Sequence, residues 1–409
     1  MIVGIVGVLY SGAAYMPLDT KLPDKELRMY VEVAQPVAAV VTSKMWDAST
    51  RVFGTSLPCE CVSLRDGDAG EPEGAWPVAG LPGHAAYALF TSGSTGTPKC
   101  VVQRHETVLH LFSADRSLYG YCADDVYLLV NQITFDISVS DMFNALTTGG
   151  ELLVASDDEL SDDAPHEQRA LTRWLQTGAF SVTSMTPSAF RRTLMPALVG
   201  SDEGSGAALR LRLISFSGEG LQRNDLVPVM RRHPSLALVN KYGLTEVQDV
   251  TYLRYSLAAD TPSGCVGGAL PGSSLYVLKP PSLPPTAPEL AEPGHVGEIA
   301  VGGPQVANGY LGAAALTAER FVADPFAPDG GRLFRTGDAG RWAEDGSLVC
   351  LGRMADMLRI RGELVDVSSA EATLRAAAAA SVKDVALVAC PHAPGGGDKQ
   401  LVAFYVLRY

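Results

Sequence analysis

The sequence predicts an α/β protein in two parts. A large N-terminal domain over residues 1–351 combines two βα lobes with a barrel-like β lobe. A small, mobile and incomplete α+β domain follows over residues 352–409. Three observations predict this. Short apolar runs alternate with amphipathic stretches over the first part of the chain, the signature of parallel strands with helices on their faces. Past about residue 250, glycine and proline become frequent and the apolar runs shorten, which suggests an antiparallel or barrel-like lobe. A third regime begins at Gly352. The length of 409 residues also exceeds what one core usually serves.

The elements follow in order. Met1–Tyr10 is apolar, without a basic lead and too short to span a bilayer, so it reads as the end of a buried helix that begins upstream. Val37–Thr42, Ala86–Phe90, Val126–Val130, Glu151–Ala155, Ser181–Met185, Leu211–Ser215 and Leu236–Val239 read as buried strands. Between them Lys25–Glu32, Asp141–Leu146, His166–Thr177, Ser188–Leu194 and Asn224–Arg232 read as helices. The acidic run Asp157–Asp163 and the proline-rich Pro280–Pro293 read as surface loops. Gly297–Val301 and Ser347–Leu351 are short strands of the β lobe. In the last part, Arg359–Arg361 is a short strand, Ser369–Ala380 a helix, and Val385–Ala389 and Gln400–Val406 two strands.

Composition narrows the function. Hydrophobic residues at 47% and charged residues at 19% describe an ordinary globular chain. A formal net charge of -13 argues against a nucleic-acid partner. No membrane partner is expected. The seven cysteines form no CxxC array and the seven histidines no HExxH spacing, so a zinc site or disulfide framework is not expected and a reducing, cytoplasmic compartment is.

The most informative segment is Leu89–Lys99, LFTSGSTGTPK. Gly93 and Gly96 let the backbone turn tightly and approach an anion. Thr91, Ser92, Ser94, Thr95 and Thr97 add hydroxyls, and Lys99 adds a charge suited to β- and γ-phosphates. A strand directly before and a lysine directly after distinguish it from a plain serine-rich loop. The spacing departs from G-x-x-x-x-G-K-[ST], which disfavours a P-loop NTPase.

This segment resembles the signature loop of the adenylate-forming superfamily, and further motifs stand in that family's order. They are Leu9–Asp19, Asn240–Glu246 (NKYGLTE), Gly297–Ile299 with Gly309–Leu311, Phe334–Asp338 (FRTGD), and Gly352–Arg353 with Ile360–Gly362. Essentially the whole chain is covered, and the resemblance is strongest to adenylation domains of nonribosomal peptide synthetases.

The resemblance implies attack of a carboxylate on the α-phosphorus of ATP, giving an acyl adenylate and pyrophosphate, with ATP and Mg²⁺ required. It implies that Lys99 and the loop hold the β,γ-phosphates, that Thr245 touches the α-phosphate and that Glu246 ligates Mg²⁺. Tyr242 and Gly243 would lie against adenine, Asn240 near its amino group, and Gly218 and Glu219 along its edge. Asp338 would accept from the ribose hydroxyls, with Arg353 nearby. The acceptor would be a phosphopantetheine carrier protein or CoA.

Asp136, in Phe135–Ser138, stands where amino-acid-activating relatives pair an aspartate with the substrate α-ammonium, which favours an amino-acid substrate; a helix cap is the competing explanation. The rest of the substrate wall would be Ile137, Ser140, Ser184, Ser215, Ser217, Lys241, Asp249 and Val250, a polar set in which Lys241 and Asp249 pair or one meets the substrate side chain. The chain departs from the family at Cys100, Leu244, Ala355 and Met357. The family's late catalytic lysine is not expected within this chain, since only Lys383 and Lys399 lie beyond the hinge. An acyl- or aryl-acid–CoA ligase, or a nucleotide-binding fragment without full activity, are the other readings.

Overall fold

The computed structural model describes residues 1–42, 51–52, 61–63, 81–91, 98–155, 170–200, 209–259, 261–280, 287–328, 330–360, 363–378, 381–391 and 399–407. The acidic run Asp157–Asp163 and the loop residues 92–97 lie outside these.

Five parallel strands form the heart of the molecule. Across the sheet they run Glu151–Val154, Val126–Leu129, Val182–Met185, Leu213–Phe216 and Ala237–Asn240. Every residue of Val126–Leu129, Val182–Met185 and Leu213–Phe216 is buried, as expected of strands covered on both faces. The helices Ile137–Thr148, Ala170–Gln176, Pro187–Arg192 and Arg223–Arg232 lie between successive strands of the chain. A core of Leu128, Phe180, Phe190, Leu194, Phe216 and Leu226 fills one side. In chain order the first strand, Val126–Leu129, sits between the second and the third. The order therefore reverses at the boundary of Val126–Leu129 and Val182–Met185, and ligand crevices of open α/β sheets form outside the carboxyl ends at such a reversal.

Past residue 250 the strands are antiparallel. Thr251–Arg254 pairs with Ala237–Asn240, and the path continues through Cys265–Ala269, Leu348–Arg353, Arg332–Trp342, Gly297–Gly302 and Ser274–Leu278. These strands prolong the parallel sheet into one twelve-stranded sheet with an open path.

The apolar run Ala86–Phe90 has a different setting from the βα alternation that surrounds it in sequence. Strand Ala85–Thr91 pairs antiparallel with Lys99–Arg104, and Gly309–Tyr310 adds a third strand on the far side. The short link from Thr91 to Lys99 permits only a hairpin, because a parallel return needs a crossover of a dozen or more residues. Directly after it runs a helix the sequence pattern does not disclose, His105–Tyr119. Its buried stripe includes Thr107 and Asp115 beside Val108, Leu111 and Phe112, which dilutes the apolar period. The first helix, Ile2–Tyr10, is less buried than its composition suggests: Ile5 alone is buried, packing with Tyr15 and Tyr87.

The last part of the chain contains the hairpin Met357–Ile360 with Glu363–Asp366, the helix Val367–Ala377, and the antiparallel pair Val382–Pro391 and Lys399–Leu407. Among the described residues no helix is long and apolar enough to cross a membrane.

Candidate functional site

The expected site residues gather at the carboxyl ends of the parallel strands. Asn240 ends the strand Ala237–Asn240, and Lys241 and Tyr242 follow at once. The Tyr242 hydroxyl donates to Asp338 Oδ2 at 2.8 Å. Asp338 sits on the strand Arg332–Trp342 directly opposite Arg353, whose guanidinium reaches Asp338 Oδ1 at 3.2 Å. Burial pushes the Asp338 carboxyl up, while Arg353 and Tyr242 pull it back. Asn240 is 6% exposed, and its Oδ1 has no hydrogen-bond partner among the described residues. A buried open acceptor there suits an N–H donor such as an exocyclic amine.

Gly218 follows the strand Leu213–Phe216 in the left-handed region, φ 85°. The neighbouring Glu219 turns its carboxylate to Ser188, accepting from both the backbone N–H and the hydroxyl at the start of helix Pro187–Arg192. That leaves the backbone of the Gly218–Glu219 turn, rather than the Glu219 side chain, to face a ligand.

Thr245 and Glu246 stand at the tip of a tight hairpin, Gly243–Leu244 against Gln248–Asp249. A Cβ at position 243 would lie 2.1 Å from the Gln248 carbonyl oxygen, so only glycine fits. Gln248 takes a positive φ of 59° and is tied down by its side-chain amide, which donates to the buried Tyr87 hydroxyl. Gln103, from the strand after the phosphate loop, donates to the Thr245 carbonyl at 2.8 Å. Glu246 accepts from the Tyr310 hydroxyl at 2.7 Å, and Lys99 Nζ lies 5.3 Å from the centroid of the same ring. Lys99 and Glu246, far apart in sequence, thus share one aromatic neighbour. Thr91 closes its strand opposite Lys99. Ser92, Gly93, Ser94, Thr95, Gly96 and Thr97 lie outside the described residues.

The expected substrate end is polar and more elaborate than the sequence suggested. Asp136 stands at the cap position before helix Ile137–Thr148 and makes none of the usual side-chain capping hydrogen bonds there, although its carboxyl accepts from the adjacent Ile137 N–H. Burial pushes its carboxyl up to about 6, against a hydrogen bond from the Thr245 side chain, with Asp249 and Glu246 adding negative charge. Ile137 projects towards Gly218. Lys241 Nζ lies 3.0 Å from both oxygens of Asp115 and 3.5 Å from Asp249 Oδ2. Lys241 and Asp249 do pair, and Asp115 is the stronger partner. Ser217 donates to Asp249 at 3.0 Å, and Ser215 to Ser184 at 2.8 Å. Ser140 is buried on the same helix as Asp141. Val250 belongs to the apolar core beside Tyr242, with its N–H bonded to the Tyr242 carbonyl.

Sequence reasoning missed Asp115, Asn131, Asp141, Asn144, Gln248 and Tyr310. Asn131 donates to Asp141 Oδ2 at 2.9 Å and to the Ser184 carbonyl at 2.8 Å, across the strand-order reversal. Burial pushes Asp141 up to about 7. The signal for the acids was present: a carboxylate on a buried helix face needs a partner.

Residues 1–311 match the family model described as AMP-binding enzyme. The dimodular nonribosomal peptide synthase of Bacillus subtilis (strain 168) is 33% identical over 417 residues, covering 99% of this chain and 17% of that protein. Syringomycin synthase SyrB1 of Pseudomonas syringae pv. syringae is 32% identical, covering 99% of this chain and 62% of that protein. The chain thus spans less than two thirds of these relatives. Among solved structures, ATP-bound MatB from Rhodopseudomonas palustris superposes with a TM-score of 0.77 at 24% identity, covering 100% of this chain and 76% of that chain. A four-domain nonribosomal peptide synthetase bound to AMP and glycine superposes with a TM-score of 0.74 at 24% identity, covering 100% and 28%. These superpositions establish a shared fold.

Proposed function

This chain belongs to the AMP-binding enzyme family, and from that premise we propose that it activates an α-amino acid as its acyl adenylate for nonribosomal peptide synthesis. A carboxylate oxygen of the amino acid attacks the α-phosphorus of ATP. The bond from that phosphorus to the bridging oxygen breaks, and pyrophosphate leaves. The thiol of a carrier protein or of CoA then attacks the acyl carbon, the acyl–phosphate bond breaks, AMP leaves, and the thiol proton is released. We take residues 1–351 as the adenylating core and 352–409 as the small domain.

The chemistry is mostly positioning and charge neutralisation, since both reacting groups are anionic. Asn240 Oδ1, buried and without a partner among the described residues, fits the adenine amine. Asp338 and Arg353 fit the ribose. Lys99 holds the β,γ-phosphates and Thr245 the α-phosphate. Glu246 would hold Mg²⁺ together with the phosphates, a donor set of one carboxylate plus substrate oxygens that suits this ion. When bound, Mg²⁺ neutralises phosphate charge. We place the enzyme in the cytoplasm.

The observation that carries the amino-acid reading is Asp136. Its carboxylate, beside the Ile137 N–H that it accepts from, also accepts from Thr245, the residue assigned to the reacting phosphate. A substrate α-ammonium beside it would supply the missing countercharge. The test is ATP–pyrophosphate exchange across a panel of α-amino acids and of fatty and aryl acids. Exchange driven by an α-amino acid is the expected result, and exchange driven only by acids without an amine would overturn the reading.

A further inference from the structure

One ammonium, Lys241 Nζ, faces two carboxylates at the substrate end. Its contacts of 3.0 Å to both oxygens of Asp115 tie it more closely to that residue than its 3.5 Å contact ties it to Asp249. Lys241 and Asp115 are sealed in, with side chains 3% and 0% exposed, whereas Asp249 is 14% exposed. Asp249 is therefore the member of the trio that opens towards the cleft. With all three ionised, the trio keeps one unbalanced negative charge, and that charge faces the cleft at Asp249. A largely buried charge of this kind is costly without a counter-ion.

The hydrogen bonds of the surrounding wall are in keeping with this. Both protons of the Asn131 amide are directed inward, one to Asp141 and one to the Ser184 carbonyl. The Ser215 hydroxyl donates to Ser184, and the Ser217 hydroxyl donates to Asp249. Asn144 donates Nδ2 to Asp115 at 3.2 Å, while Oδ1 of the same amide, on a residue 2% exposed, has no partner among the described residues. The donors so bonded are committed to acceptors within the wall, while the Tyr119 hydroxyl, whose ring centroid lies 5.0 Å from Lys241 Nζ, has no partner among the described residues. Towards the cleft, the acceptor of the trio that is partly exposed is the Asp249 carboxylate. A substrate side chain bearing a carboxylate meets the net negative charge of the trio at Asp249. A side chain bearing N–H groups and positive charge supplies what is lacking.

We propose that the pocket selects an α-amino acid whose side chain ends in a cationic, hydrogen-bond-donating group, an ammonium or guanidinium, paired with Asp249. This rests on the reading of the chain as an amino-acid-activating enzyme. The α-ammonium goes to Asp136 and the side-chain cation to Asp249. Lys241, held from behind by Asp115, is a positioning residue for Asp249 and is not available to an acidic substrate.

The test is calorimetric binding of amino acids to the AMP-loaded chain, which reads selection without turnover. Lysine is compared with norleucine, arginine with citrulline, and both with glutamate. At least one cationic amino acid is expected to bind about tenfold or more tightly than its neutral counterpart, as loss of a charged hydrogen bond implies. Asp249→Asn should collapse that margin. Tighter binding of glutamate or of the neutral counterparts to the unmodified chain overturns the proposal, whatever the variant does. An equal loss for every amino acid in Asp249→Asn overturns it too, since Asp249 would then serve the α-ammonium. If no α-amino acid binds at all, the parent reading fails and this inference with it.

Discussion

The Tyr310 hydroxyl donates to Glu246 Oε1 at 2.7 Å, and the ring that carries it lies beneath the ammonium of Lys99. One side chain therefore aims the proposed metal-binding carboxylate and neighbours the proposed phosphate-binding cation. Tyr310 is held by the strand Gly309–Tyr310, which pairs with Val101 and Val102 directly after Lys99. Tyr310→Phe keeps the ring and removes the hydroxyl. A hydrogen bond to a charged group is worth about 1.5–3 kcal/mol, so the KM for Mg·ATP should rise about tenfold or more while AMP binding changes little. Steady-state kinetics beside AMP titration check this, and equal weakening of ATP and AMP would place the contact elsewhere.

Gly243 sets the shape of the hairpin that carries Glu246 and Asp249. A methyl group there collides with the Gln248 carbonyl, which is backbone and has little room to withdraw. Overpacking of this kind costs about 1–3 kcal/mol. Gly243→Ala should lower the denaturation midpoint and weaken both nucleotide and amino-acid binding, because both acids move together. Chemical denaturation with paired binding curves reads both effects.

The raised carboxyls give a pH dependence with a definite sign. Asp136, pushed up to about 6 by burial, must be ionised to meet an ammonium. Affinity for the α-amino acid should therefore climb between pH 5 and about pH 7 and then level off, and Asp136→Asn should flatten the curve. Stability runs the other way. Asp141 has a folded value pushed up to about 7, above the unfolded aspartate value near 3.9. Its contribution is fully present below the unfolded value and is lost as pH rises through the folded one. Asp141→Asn should thus gain stability relative to the unmodified chain between pH 5 and pH 8, as followed by urea midpoints.

The parts of the fold that were legible were local. Val126–Leu129, Val182–Met185 and Leu213–Phe216 are buried on both faces; the first is an unbroken apolar run, and the other two stay apolar enough, despite Thr183, Ser184 and Ser215, for a sequence to display them. The segment Asn240–Glu246 was legible through its resemblance to a family motif, and the structure sets it at a strand end and a tight turn. The contact between Lys241 and Asp115 was not, since it joins residues 126 apart and nothing in either segment names its partner. Helix His105–Tyr119 was hidden for the same reason: the Asp115 that breaks its apolar stripe is explained only by the lysine it meets. The hairpin of Ala85–Thr91 and Lys99–Arg104 was concealed by an apolar run that resembles its parallel neighbours and differs only in the length of the return.

The central claim is that Asp136 makes this chain an activator of amino acids in particular. The most direct measurement is kcat/KM in ATP–pyrophosphate exchange for the preferred α-amino acid and for the same acid lacking its α-amine, in the unmodified chain and in Asp136→Ala. The account expects a strong preference for the amino acid in the unmodified chain, and loss or inversion of that preference in the variant, where no carboxylate remains for the ammonium. A preference that survives Asp136→Ala unchanged would contradict it.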